Sequence, residues 1–121
     1  MKTMLIVDDS DYMRTLIKSH VTKHDINVIG EAEDGATGVE EYKKLKPDIV
    51  TMDLAMHDGD GLEAVKKIIE FDPDAKIMIV SSIAGQDIVV SRALEAGAKT
   101  VIDKNALGKD LIEGIFKMLM D

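Results

Sequence analysis

The sequence contains no cysteine. Disulfide bonds, zinc–thiolate sites and thiol catalysis are therefore excluded. It also has no run approaching the roughly 20 apolar residues that a membrane helix needs. The first ten residues hold too short an apolar core for a signal peptide. We therefore expect a cytoplasmic protein that has no membrane partner.

Positive charge and aromatic rings are also scarce. The chain has 15 Lys and Arg against 23 Asp and Glu, which gives a formal net charge of −8. This balance argues against nucleic acid as a partner. There are two tyrosines, two phenylalanines and no tryptophan, and no GxxxxGK[ST] loop occurs. A flavin or nucleotide module on an α/β fold therefore has little support.

Five short apolar runs alternate with stretches of helical spacing. The runs cover 4–7, 26–29, 49–52, 77–80 and 101–102. The stretches between them repeat apolar residues at i, i+3 and i+4, as in Met13, Leu16 and Ile17. Continuously apolar strands that alternate with helices indicate a parallel sheet covered on both faces. The sequence therefore predicts a doubly wound α/β fold of five βα units, and 121 residues suit one domain.

Polar and helix-breaking residues mark the boundaries of the predicted helices. Ser10 is a candidate N-cap of the first helix, and Gly97 a candidate end of the fourth. The segments Lys46-Pro47-Asp48 and Asp72-Pro73-Asp74 should end the second and third helices.

Three acidic residues follow predicted strands. Asp8 and Asp9 come directly after the first run, and Asp53 follows the third. Ligands of open parallel sheets bind outside the carboxyl ends of the strands, so these carboxylates should converge if the two strands are neighbours. Three close anions need a cation or a proton, and carboxylate oxygens suit Mg²⁺. The sequence therefore predicts a magnesium site.

Two further strand ends carry groups that can bind a phosphoryl group. The fourth run is followed by Ser81-Ser82 and the fifth by Lys104. A hydroxyl and an ammonium beside a magnesium–carboxylate cluster can bind and neutralise phosphoryl oxygens, while one carboxylate acts as nucleophile.

These motifs resemble the receiver domain of two-component response regulators across essentially the whole chain. They are Asp8-Asp9-Ser10, the segment DLAMHDGDG from Asp53 to Gly61, Ser82 ahead of EAGAK, and Lys104. The resemblance implies a flavodoxin-like sheet with strand order 2-1-3-4-5, the order known from flavodoxin and chemotaxis receivers. It also implies that residues 1–121 form one receiver domain with no output domain.

The resemblance implies a role for each residue of the site. Asp53 would be the phosphoacceptor, and Asp9 and Asp53 would ligate Mg²⁺ directly. Asp8 would act through water and Ala55 through its main-chain carbonyl. The hydroxyl of Ser82 would move to the phosphoryl group as a switch, and Lys104 would pair with the phosphoryl oxygens.

Two segments resemble the chemotaxis branch of the family in particular. They are VDDSDYMRTLI, around Arg14, and Gly85-Gln86 after the fourth strand. This likeness implies a monomer that takes its phosphoryl group from a CheA-like histidine kinase and catalyses only its own phosphorylation and dephosphorylation. The phosphorylated form would bind a motility-switch protein or adaptor through the fourth helix, fifth strand and fifth helix. A phosphatase is a further expected partner.

Two other protein classes are alternatives to this interpretation, and they fit the sequence to different degrees. A single-domain receiver in another phosphorelay would share every residue of the site. A magnesium-dependent phosphatase of the haloacid-dehalogenase class has a second Asp two residues after its nucleophile. That position is Ala55 here, which supplies no proton donor.

The chain departs from the family pattern at four positions. Asn105 follows Lys104 where proline is usual, and Val101 replaces an aromatic switch residue. Ile83 replaces a small residue, and His57 replaces a proline. We therefore expect signalling to pass through Ser82 and Val101 by rearrangement of the backbone rather than by rotation of a ring.

Overall fold

In the computed structural model, the described residues are 1–56, 61–82 and 87–120. The positions of His57, Ile83 and Gly85-Gln86 lie outside these ranges. None of the described helices is long and apolar enough to cross a membrane.

Five strands alternate with five helices along the chain. The strands are β1 (Lys2–Val7), β2 (Ile26–Ala32), β3 (Ile49–Met52), β4 (Ile77–Ser81) and β5 (Thr100–Asp103). The helices are α1 (Asp11–Val21), α2 (Gly35–Leu45), α3 (Gly61–Phe71), α4 (Asp87–Glu95) and α5 (Lys109–Leu119). Short 3₁₀ turns follow α1 at Thr22–His24 and β5 at Lys104–Ala106.

The strands form one parallel sheet in the order β2-β1-β3-β4-β5. This confirms the predicted flavodoxin-like fold. The order reverses between β1 and β3, so the carboxyl ends of these two strands face the switch point at which such sheets bind ligands.

A separate apolar core covers each face of the sheet. On one face, side chains of α1 and α5 such as Ile17, Leu111 and Ile115 pack against Met4 and Ile6. On the other, α2, α3 and α4 supply Val39, Val65 and Ala93, among others, against alternate strand residues. Successive side chains of a strand point to opposite faces, which is why a sheet covered on both sides needs strands that are apolar throughout.

The predicted helix boundaries agree with the structure. The Ser10 side chain accepts a hydrogen bond from Met13 N at 3.2 Å and so caps α1. Lys46 and Gly97 both have positive φ, 47° and 118°, just after α2 and α4. Gly97 tolerates this left-handed backbone because it has no Cβ.

Two details differ from the sequence-based expectations. β2 runs three residues past its apolar run, because pairing with β1 continues to Val7 opposite Ala32 beyond a register shift. Among the α4 side chains that the structure describes, Ala93 is buried, whereas Ile88 and Leu94 are 64% and 45% exposed. Helical spacing of apolar residues therefore does not by itself show which side chains of this helix face the core.

Candidate functional site at the carboxyl edge of the sheet

Asp8, Asp9 and Asp53 come together where β1 and β3 end. The two strands pair with Val7 opposite Met52, and Asp53 N donates to Val7 O at 3.0 Å. The acids that follow the strands are therefore neighbours, and one carboxylate oxygen from each lies within 4.8 Å of the others. Asp8 and Asp53 are buried, and Asp9 is exposed. The structure thus brings together the three acids that the sequence singled out.

Lys104 reaches this cluster from the turn after β5. Its Nζ lies 3.0 Å from Asp53 Oδ2 and 3.0 Å from Asp8 Oδ2. The side chain of Asp103 accepts from Asn105 N at 2.8 Å and so caps the short turn that begins at Lys104. The described residues have no cis peptide bond, so the bond between Lys104 and Asn105 is trans.

The electrostatics of the cluster reflect burial and close opposite charges. Burial raises the pKa of the Asp8 carboxyl, and the charge of Asp53 acts in the same direction. The Ser10 N–H and the Lys104 ammonium oppose that shift. Burial alone would lower the pKa of Lys104, but its contacts with Asp8 and Asp53 outweigh this effect and raise the pKa. The Lys104 ammonium thus contacts two of the three carboxyl groups of the cluster.

The donor set of the cluster fits a magnesium ion. Asp8 Oδ2 is fully buried and makes no hydrogen bond, although the Lys104 ammonium is close to it. This ammonium lies 3.0 Å from both Asp8 and Asp53 and can balance only one of the two buried charges, so a further cation would be stabilised here. Together, the three acids could hold Mg²⁺ with open positions for water and for a phosphoryl oxygen.

Of the remaining predicted residues, Ala55 and Ser82 lie along the same edge of the sheet, and Val101 lies within β5. Ala55 is exposed, and its N–H donates to Asp53 Oδ1 at 3.0 Å. Ser82 is exposed in the turn directly after β4, the strand beside β3. Val101 is partly buried and packs against the core beneath α2, α3 and α4. The roles that the resemblance gives these residues stay predictions.

Arg14 also belongs to this site, although no sequence motif predicted a function for it. Its Nη1 donates to the carbonyl oxygen of Asp8 at 2.5 Å. Its Nε donates to Glu31 Oε1, at the end of β2, at 3.1 Å. The sequence does contain one indication of where Arg14 lies. It comes four residues, or about one helical turn, after the N-cap Ser10, and residues at this spacing lie on the same side of a helix.

Comparison with known proteins identifies the family. The family model of the response regulator receiver domain matches residues 4–116. The chain therefore belongs to the response regulator receiver family, as its motifs, strand order and carboxylate cluster predicted.

Several chemotaxis proteins are similar to this chain. The chemotaxis protein CheY of Thermotoga maritima is 44% identical over 97% of both chains, and that of Bacillus subtilis is 42% identical over 96% of both. The crystal structure of the CheX–CheY–BeF₃–Mg²⁺ complex from Borrelia burgdorferi contains a chain that is 32% identical, with a TM-score of 0.92, and the match covers 98% of this chain and 89% of that one. This member of the receiver family is thus similar over nearly its whole length to chemotaxis proteins.

Proposed function

We propose that this receiver accepts a phosphoryl group on Asp53 from a CheA-like histidine kinase, and that phosphorylation switches its binding to a motility-switch protein or adaptor. One observation carries the proposal: the buried Asp53 carboxylate lies 3.0 Å from the Lys104 ammonium and shares its cleft with Asp8 and Asp9. A nucleophilic carboxylate, a cation and a metal-binding acid pair are the components that phosphoryl transfer uses.

In the transfer, a carboxylate oxygen of Asp53 forms a bond to phosphorus while the phosphorus–nitrogen bond of the donor phosphohistidine breaks. The histidine nitrogen keeps the electron pair. Lys104 would neutralise charge on the transferred group, because its ammonium already lies against the acceptor. A bound Mg²⁺ would add charge neutralisation at the phosphoryl oxygens.

The metal would be held by the acid cluster. The family resemblance gives Asp9, Asp53 and the carbonyl of Ala55 as direct ligands and Asp8 as a ligand through water. Two things support magnesium: the convergence of three carboxylates, two of them buried, beside the single ammonium of Lys104, and the Mg²⁺ and BeF₃ named in the complex of the similar Borrelia CheY.

Phosphorylation would add about 1.5 to 2 negative charges at one point and shift an existing equilibrium between two conformations. Val101 has no ring to rotate, so the turns at Ser82 and Asn105 are the candidate moving parts. The exposed Ile88 and Leu94 of α4 support an output surface on α4, β5 and α5. We also expect a phosphatase partner.

Intact-mass measurement after incubation with phosphoramidate tests the acceptor. We expect one phosphoryl group on the wild type with Mg²⁺ and none with EDTA or in Asp53→Asn. Asp74→Asn, an exposed acid after α3, is the control and should be phosphorylated normally. Phosphorylation that persists in Asp53→Asn would contradict the assignment.

Affinity capture with the BeF₃-treated protein tests the switch. We expect motility-switch components to bind the BeF₃-treated wild type and not Asp53→Asn. Capture of the same partners without BeF₃ would contradict a phosphorylation-dependent function.

A further inference from the structure

We propose that Arg14 is a positioning residue for the metal site, because its guanidinium fixes the main chain from which Asp8 and Asp9 project. This inference rests on the proposed magnesium-dependent function and extends it to a residue outside the acid cluster. Arg14 lies in α1, yet it bonds to the end of β1 and to the end of β2. Its side chain is only 12% exposed.

Hydrogen bonds hold the loop between β1 and α1 at several points. Asp8 N donates to Ala32 O at 3.0 Å, and Ser10 N donates to Asp8 Oδ1 at 2.9 Å. Arg14 N donates to Ser10 O at 3.0 Å. The Arg14 guanidinium adds the bond to the Asp8 carbonyl, and this bond sets the orientation of the peptide that joins Asp8 to Asp9.

The guanidinium is itself held in place by two acids. Glu31 accepts from Nε, and Asp11 accepts from Nη2. The three acceptors belong to the β1 end, the β2 end and the first turn of α1. A planar guanidinium can donate in three fixed directions at once, whereas a lysine ammonium has neither the shape nor the rigidity. The geometry therefore requires arginine rather than a positive charge alone.

The neighbouring Lys18 provides a matched control. Its Nζ lies 3.8 Å from Glu31 Oε2, so it contacts the same acid, but its side chain is half exposed. Both residues place a cation of α1 beside Glu31, and Arg14 also donates to Asp8 O. Comparing the two separates an effect of nearby charge from an effect of holding the loop.

Residues that orient metal ligands typically change metal affinity 10- to 100-fold when they are removed. We therefore expect Arg14→Ala to weaken Mg²⁺ binding by about tenfold or more. Arg14→Lys should recover only part of this loss, and Lys18→Ala should bind Mg²⁺ nearly as the wild type does. The rate of phosphorylation by phosphoramidate should recover in Arg14→Ala as the Mg²⁺ concentration is raised.

The experiment is calorimetric titration of Mg²⁺ into the wild type, Arg14→Ala, Arg14→Lys and Lys18→Ala, with amide hydrogen exchange in EDTA as a metal-free measurement. We expect faster exchange at Asp9 and Ser10 in Arg14→Ala but not in Lys18→Ala. Unfolding in EDTA gives the folded fraction of each variant, so that a loss of stability is not counted as a loss of affinity.

The possible outcomes separate the positioning role from the proposed function. Unchanged Mg²⁺ affinity in folded Arg14→Ala, full recovery in Arg14→Lys, or an equal loss in Lys18→Ala would each overturn the role of Arg14 and leave the metal site standing. A wild-type protein that binds no Mg²⁺ would overturn both the metal site and the role of Arg14.

Discussion

The ammonium of Lys104 lies 3.0 Å from the carboxylate of Asp53, although 51 positions separate the two residues in the sequence. The same Nζ lies 3.0 Å from Asp8 Oδ2. Lys104 therefore joins the ends of β1, β3 and β5 and partly neutralises two buried acids. In the metal-free protein the Lys104 ammonium is the counter-ion of these carboxylates. In the proposed reaction it would contact the phosphoryl oxygens instead.

Lys104→Met should destabilise the metal-free protein, because it leaves Asp8 and Asp53 buried without their ammonium. Removing one partner of a buried ion pair costs about 3 kcal/mol or more. We expect a loss of this order in urea unfolding with EDTA and a smaller loss with saturating Mg²⁺, which would supply the missing charge. Lys99→Met, at an exposed position before β5, is the control. An equal loss of unfolding free energy with and without Mg²⁺ would show that the ammonium and the metal do not neutralise the same carboxylates.

Asp8→Asn should stabilise the metal-free protein at neutral pH. Burial raises the pKa of Asp8 above its ordinary 3.8, so the folded state binds a proton more tightly than the unfolded state. The free energy of unfolding therefore falls as the pH rises from about 3.8 through the raised folded-state pKa. Asparagine removes this penalty and keeps an oxygen that can accept from Ser10 N.

Unfolding curves of wild type and Asp8→Asn in EDTA, from pH 3 to pH 8, measure this difference in the free energy of unfolding. The gain should be present at pH 7 and disappear below the ordinary pKa of 3.8. Mg²⁺ should stabilise Asp8→Asn less than it stabilises the wild type. A variant that is less stable than the wild type at pH 7 would mean that the Lys104 contact outweighs burial.

The elements of the fold were predictable because each strand and helix carries its own local signal. Apolar runs, Ser10 and Gly97 marked the boundaries, and strand ends carry the acids and Lys104 to one edge in any parallel sheet. The function of Arg14 was not predictable, because it depends on where β2 places Glu31. The exposure of Ile88 and Leu94 was not predictable for a similar reason, since only the packing of α4 shows that Ala93 faces the core.

Thr51→Val should stabilise the protein. Thr51 is buried in β3 and its Oγ1 has no hydrogen-bond partner. Alternation along the strand places it on the same face as Ile49, towards the core under α1 and α5. Valine has nearly the same shape and removes an unsatisfied hydroxyl, so we expect a gain of about 1 kcal/mol in urea unfolding. Thr51→Ser, which keeps the hydroxyl and loses the methyl group, should be less stable than the wild type. A destabilised Thr51→Val would show that the Thr51 hydroxyl has a hydrogen-bond partner in solution.

Gly61→Ala should displace the main chain of Asp53, the proposed phosphoacceptor. A Cβ at Gly61 would lie 2.3 Å from Asp53 O and 2.7 Å from Leu54 Cα. Both are main-chain atoms, so the start of α3 or the end of β3 must move, at a cost of about 1 to 3 kcal/mol. We expect lower stability in urea and slower phosphorylation of Asp53 by phosphoramidate at saturating Mg²⁺.

Gly114→Ala is the matched control for that substitution. Its Cβ would lie 2.6 Å from Met78 Cε, the end of a flexible side chain, and alanine favours the helix by about 1 kcal/mol over glycine. It should therefore leave the phosphorylation rate unchanged at little or no cost in stability. If Gly61→Ala were phosphorylated at the wild-type rate, the close approach of α3 to the Asp53 main chain would not be needed to position the acceptor.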